Sequence, residues 1–264
     1  MGLTIHYSLK AKGSEVNARN LVHALHQTAQ DLPFEDVSEV VQLSGEQSDT
    51  DKRSQDDPSS WLLTHAGQSI EGEKQNDGWT PLYRVRPHHL IAFTTSPGQG
   101  CESASFGLCK YPPVIETRDG RMKTKLSGWC WSNFCKTEYA SNPRCGGVTN
   151  FLRCHLSVIA VLDRAKQLGC LEEVDDEGGF WTKRDLPALV QEIGSLNELI
   201  AAFGGKLKDL AGTGPGQVEA AISEFPNFEQ LEAQGQDKLP PKLQKLFSLI
   251  GRVAITPRDG LLFH

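Results

Sequence analysis

Leu3, Ile5, Tyr7 and Leu9 alternate with Thr4, His6 and Ser8. A period of two marks a half-buried strand over residues 3–9. Gly13 ends the alternation, Ser14 suits an N-cap, and Glu15 complements the dipole of the helix that follows. Ala18, Leu21, Val22, Leu25, Ala29 and Leu32 then recur at helical spacing until Pro33 stops the run. Val37, Val40, Val41 and Leu43 predict a second strand.

Residues 44–60 are polar and acidic without hydrophobes, which predicts a flexible loop. Residues 61–80 show no clear period. Residues 82–95 read as one or two strands broken at Pro87, and Ala104–Lys110 as the returning strand of a hairpin. Residues 116–125 read as a charged turn around Asp119-Gly120, and the stretch from Gly128 as another strand.

From Val148 to Leu168 the period becomes helical. Val148, Phe151, Leu152, His155, Ile159 and Leu162 form one stripe, and Cys154, Val158, Val161 and Ala165 flank it. A helix apolar over most of its surface belongs in the centre of a fold. Gly169 is its natural C′ residue. Residues 171–181 predict a short strand or turn, and 183–210 one long helix or two, interrupted at Gly204-Gly205. Residues 211–216 predict a linker, followed by helices over 217–225 and 241–253 and an extended end.

Strands with few helices first and helices later favour an α+β fold over a doubly wound parallel sheet. The expected architecture is a mixed or largely antiparallel sheet with helices on one face. It spans residues 1–210, and residues 211–264 form a linker and C-terminal helical extension.

Composition narrows the function classes. The 264 residues carry a net charge of −6, which argues against a nucleic-acid surface. The start reads neither as a signal peptide nor as a myristoylation motif, and no run of eighteen apolar residues predicts a membrane span. Seven cysteines without a secretory leader predict reduced thiols in a cytoplasmic protein. No Gly-rich phosphate loop or nucleophile elbow matches its pattern.

Among the candidate chemistries, structural zinc lacks its close cysteine pair, and Cys154-His155 diverge on a helix. His155 reads as a buried imidazole bonded to a backbone carbonyl, and His23 and His26 as surface residues. Glu173, Asp175 and Glu177 share a face if extended, either as a cation cage or, more simply, as a solvated acidic turn.

The aromatic stretch Gly128–Ser141 draws most interest. Alternation puts Trp129, Trp131, Asn133 and Cys135 on one face and Cys130, Ser132, Phe134 and Lys136 on the other. Large aromatics beside a few polar groups resemble a concave ligand site. The expected site therefore comprises Trp129, Trp131, Asn133, Cys135, Lys136, Glu138 and Tyr139, with His88 and His89 from the neighbouring strand start. The expected partner is a small polar or aromatic ligand. No resident metal is expected, no cofactor is specified, and self-association into a homo-oligomer stays open. The alternative is a cysteine-dependent or metal-assisted hydrolase or transferase. It requires Cys101 or Cys135 within about 3–4 Å of an imidazole nitrogen, or three carboxylate or His groups converging on one point.

Overall fold

A computed structural model describes residues 3–48, 57–72, 78–118, 120–211, 225 and 227–235. The chain opens with strand β1 (Thr4–Ala11), helix α1 (Glu15–Gln30) and two short strands, β2 (Asp36–Val37) and β3 (Val41–Ser44). Helix α2 (Pro58–His65) leads into a hairpin of β4 (Gln68–Glu71) and β5 (Leu82–Val85). Next come β6 (His89–Ser96), β7 (Ala104–Lys110), a second hairpin of β8 (Val114–Thr117) and β9 (Gly120–Lys123), and β10 (Trp129–Lys136). Helix α3 (Gly147–Gln167), edge strand β11 (Leu171–Asp176), the single turn α4 (Phe180–Lys183), α5 (Leu186–Ala211) and α6 (Phe228–Gly235) follow.

The main sheet has the order β11-β1-β10-β7-β6-β2, with β3 also on β6, and every pairing is antiparallel. Helices packed on such a sheet make the α+β fold that the element order predicts. The alternation in β1 sends Ile5, Tyr7, Leu9 and Ala11 into the core. Helix α1 starts where Ser14 Oγ accepts from Asn17 N at 3.3 Å, and it buries Ala18, Val22, Leu25, His26 and Ala29. Its partner α3 ends in a Schellman arrangement: Cys170 N donates to Ala165 O and Gly169 N to Lys166 O, with Gly169 at φ +71°. Ten α3 residues are buried, which fits its broad apolar surface.

Layering differs between the two ends of the sheet. On β6, the consecutive residues Leu90, Ile91, Ala92 and Phe93 are all fully buried. Neighbours on a strand point to opposite faces, so both faces are covered there. Helix α2 supplies Leu62 and Leu63 to this core and its C-cap Ala66 joins them, and Tyr111 Oη donates to Ala66 O at 2.6 Å. Around β11, β1 and β10 the second face stays open: His6, Lys10, Ser132, Phe134, Glu173 and Asp175 are exposed.

Gly107 shows how tightly the covered end packs. A Cβ there would overlap the Ala92 side chain and meet Ile91 O at 2.7 Å. Gly107→Ala is expected to cost about 1–3 kcal/mol through overpacking, measured by denaturant titration. A cost indistinguishable from zero would show that β6 and β7 separate readily.

Several expectations need correction. The loop expected over 44–60 is ordered at both ends, with a 3-10 turn at Gly45–Ser48 and α2 beginning at Pro58. Asp57 caps α2 by accepting from Ser59 N, a signal hidden in a charged run. The charged turn over 116–125 is the β8–β9 hairpin, although Asp119 lies outside the described residues. The interruption at Gly204-Gly205 is absent, and α5 runs through it. His26 is buried, its Nε2 at 3.0 Å from Ser38 O and its ring edge-on to Phe93. The linker expected over 211–216 and the helices expected over 217–225 and 241–253 lie outside the described residues, apart from Ala211, which ends α5, and Phe225.

Candidate functional site

The Trp129 face of β10 points into the core rather than into a cleft. Trp129 is 2% exposed, while Trp131 and Cys135 have no exposure. The reason is register. Trp131 pairs with Leu9 and Trp129 with Ala11, so they share the face that α1 and α3 cover. Trp131 Nε1 and Tyr7 Oη both donate to Ser105 O, at 2.9 and 2.7 Å. This satisfies both polar atoms inside an aromatic stack in which the Tyr7 ring lies 5.2 Å from Phe106. Asn133 is half-buried, and its Oδ1 accepts from Phe134 N at 2.6 Å. The residues expected to line one site therefore divide among different environments.

His89 does meet Trp129, ring centroids 5.1 Å apart and edge-on, with Glu15 Oε1 at 3.7 Å from His89 Nε2. Trp129 Nε1 and His89 Nε2 are buried without a hydrogen-bond partner among the described residues. His88 is exposed, and burial, then Lys110 and His89, hold its imidazole below the usual value. Lys136, Glu138 and Tyr139 cluster beyond the end of β10. The ammonium lies 3.1 Å from Glu138 Oε1 and 4.9 Å over the Tyr139 ring. Burial opposes the charge on Lys136, yet the Glu138 carboxylate raises its pKa overall. Glu138 is itself buried and accepts from Leu3 N at 3.0 Å, so it anchors the start of β1.

The opposite face of the same strands forms an open depression of about 430 Å³. His6, Tyr7 and Ser8 of β1, Ser132, Asn133 and Phe134 of β10, and Glu173 and Asp175 of β11 line it, so Asn133 is the expected site residue that it includes. Antiparallel register brings them together: His6 pairs with Phe134 and Asp175, and Ser8 with Ser132 and Glu173. The His6 and Phe134 rings lie 5.7 Å apart. A register shift between Ser8 and Leu9 displaces the pairing along β11, and Glu172 meets Lys10 Nζ at 2.7 Å. Glu173 and Asp175 have no cationic partner among the described residues. The depression is thus an aromatic wall beside two free carboxylates. Alternation along β10 and β11 places these residues on one face in sequence, but only cross-strand register adds His6.

Glu177 does not join the other two carboxylates, because its Oε2 accepts from Thr4 N at 2.9 Å. The acidic run is an edge strand rather than a loose turn, and charges on an edge oppose pairing with other chains. Among the described residues, no three His, Cys, Asp or Glu groups are arranged to hold a metal ion.

A further buried chain links Thr137, His155 and Asp176. Thr137 Oγ1 is 3.1 Å from His155 Nδ1, and His155 Nε2 is 3.4 Å from Asp176 Oδ1. His155 Nδ1 thus meets a hydroxyl rather than the expected backbone carbonyl, and Nε2 faces the Asp176 carboxylate without a hydrogen bond among the described residues. The order of hydroxyl, imidazole and carboxylate resembles a hydrolytic triad. All three side chains are sealed from solvent, however, and Thr137 Oγ1 also donates to Leu3 O at 3.1 Å. No substrate atom reaches them, and the chain ties β1, β10, α3 and β11 together. Cys101 and Cys135 contact one another and the carbonyls of Lys136 and Glu102. Among the described residues neither thiol hydrogen-bonds an imidazole, so the thiol-and-imidazole geometry required by the enzymatic alternative is not found at Cys101 or Cys135.

No described helix is long and apolar enough to cross a membrane. No protein-family model, curated protein or solved structure matches the chain.

Proposed function

We propose that this protein binds a small molecule carrying a positive charge next to an apolar or aromatic group, on the open face of β11, β1 and β10. The observation that carries this reading is the depression in which Phe134 and His6 stand beside Glu173 and Asp175. Its volume of about 430 Å³ falls within the range of small-molecule sites. The carboxylates supply charge-assisted acceptors for an ammonium group, and the aromatic ring supplies both apolar contact and a face for a cation. The expected ligand keeps its polar and aromatic character, but the wall is Phe134 rather than Trp129 and Trp131.

Calorimetric titration tests the reading with phenethylamine, phenylethanol and phenylacetate, followed by tertiary and quaternary amines. Amines are expected to bind, the neutral alcohol more weakly, and the acid not at all. The double variant Glu173→Gln, Asp175→Asn is expected to weaken amine binding about tenfold or more, the equivalent of one charge-assisted contact of about 1.4 kcal/mol. Phe134→Ala is expected to weaken it similarly while leaving the preference for cations intact. Equal affinity for amine and alcohol, or an unaffected double variant, would exclude the site.

A further inference from the structure

Three thiols from separate parts of the chain converge beneath the loop between β6 and β7. Cys101 lies in that loop, Cys135 on β10 and Cys154 on α3. Cys101 Sγ is 3.7 Å from Cys135 Sγ, and Cys101 packs against the core cluster that holds Cys154. The backbone holds the arrangement, since Glu102 N donates to Lys136 O at 3.0 Å beside the first pair. Two glycines let the loop descend onto the sulfurs. A Cβ on Gly98 would run into Arg153 Nη2 and Cys154 Sγ. A Cβ on Gly100, at φ +75°, would meet the Tyr139 backbone. Cys135 and Cys154 are buried, and Cys101 is partly exposed. Cys101 is therefore the member of the trio that a dissolved reagent meets first.

We propose that Cys101 is an oxidisable thiol that closes a disulfide with Cys135, using a low-molecular-weight disulfide as oxidant. In the first step the Cys101 thiolate attacks one sulfur of the reagent RSSR. The Cys101–SR bond forms, the reagent's S–S bond breaks, and RS⁻ leaves. In the second step Cys135 loses its proton to solvent and attacks the Cys101 sulfur. The Cys101–Cys135 bond forms and the second RS⁻ departs. Two protein thiols are oxidised, one reagent disulfide is reduced to two thiols, and no other reactant is needed. The sulfurs must close from 3.7 Å to bonding distance of about 2 Å, which rotation about the side chains and a small loop movement supply. When Cys135 is removed, Cys154, in the cluster that Cys101 packs against, is the thiol left to attack the Cys101 sulfur.

The neighbouring Cys135 thiol and burial hold Cys101 above the ordinary thiol range, and Glu102 adds to the effect. Attack requires the thiolate, so the first step is slow at neutral pH and accelerates as the pH rises.

The test treats the full-length wild-type chain with oxidised glutathione at pH 8.5 and maps disulfides by peptide mass spectrometry without reduction. The expected product joins Cys101 to Cys135, with an intact-mass loss of about 2 Da and two fewer alkylatable thiols. Its thermal midpoint rises and returns on adding reductant, because the cross-link closes a long loop. Cys101→Ser is expected to abolish the product. Cys135→Ser is expected to divert the bond to Cys154 or to stop at the mixed disulfide on Cys101. In urea the same reagent is expected to give scrambled pairs. Glutathione adducts on Cys130 or Cys145 without the Cys101–Cys135 link would overturn the proposal, as would persistence of the product in Cys101→Ser. If either variant fails to fold, the wild-type map in buffer and in urea still decides.

Discussion

Asp176→Ala is expected to lower the unfolding free energy by about 3–5 kcal/mol in a urea titration, since each enclosed polar group left unpaired costs about 1–3 kcal/mol. The carboxylate is almost fully enclosed and serves three partners. Oδ1 accepts from Gly178 N at 2.9 Å, Oδ2 accepts from Trp181 N at 2.8 Å, and His155 Nε2 lies 3.4 Å from Oδ1. Removing it leaves a buried imidazole and two part-buried N–H groups without this acceptor. Asp176→Asn keeps an acceptor oxygen and recovers part of the loss. A cost below about 1 kcal/mol for the alanine variant would contradict a tying role for this chain of side chains.

The same group sets an acid limb. Burial by itself raises the Asp176 pKa, but the His155 ring beside it, together with the two backbone bonds, brings it below the ordinary 3.8. The folded state therefore gives up this proton more readily than the unfolded state does. The resulting stabilisation is complete above the ordinary aspartate pKa, and it is lost as pH falls through the depressed folded value. Stability measured between pH 6 and pH 3 is expected to fall less steeply in Asp176→Asn than in the wild type. Superimposable acid limbs would assign the acid sensitivity to other groups.

Trp131→Ala is expected to cost about 3–5 kcal/mol, because the indole is fully enclosed and leaves a large cavity. Trp131→Phe is expected to cost about 1–2 kcal/mol, since Ser105 O keeps the Tyr7 hydroxyl as a partner. Amine affinity at the open depression should change less than about twofold in Trp131→Phe, because the indole lies on the other side of the sheet. A tenfold loss of affinity in this folded variant would return the site to the tryptophan face.

The division of β10 into two faces was legible from alternation alone, but which face is open was not. A run such as Trp129–Lys136 carries bulky and polar groups on both sides, so hydrophobicity does not orient it. Pairing with β1 orients it, because Leu9 and Ala11 drag Trp131 and Trp129 to the helical side. Phe134, an exposed aromatic on the opposite face, was not among the residues expected to line the site. The convergence of Thr137, His155 and Asp176, which lie on three separate elements, has no local signature either. The same holds for Cys101, Cys135 and Cys154. Each partner satisfies a polar atom that only long-range packing desolvates, so no spacing rule reports it.

Short-range order in the chain determined the strand at residues 3–9, the helix capped by Ser14, the central helix ended by Gly169 and the α+β class. These features rest on periodicities of 2 and 3.6 residues and on capping, which act within a few residues. The tertiary structure alone decided that the tryptophans are core, that Glu173 and Asp175 share an open face with His6, and that the distant thiols of Cys101 and Cys135 touch. Those outcomes depend on strand register and layer coverage, which sum contacts between residues more than a hundred positions apart, such as Thr4 with Lys136 and Ile5 with Asp176.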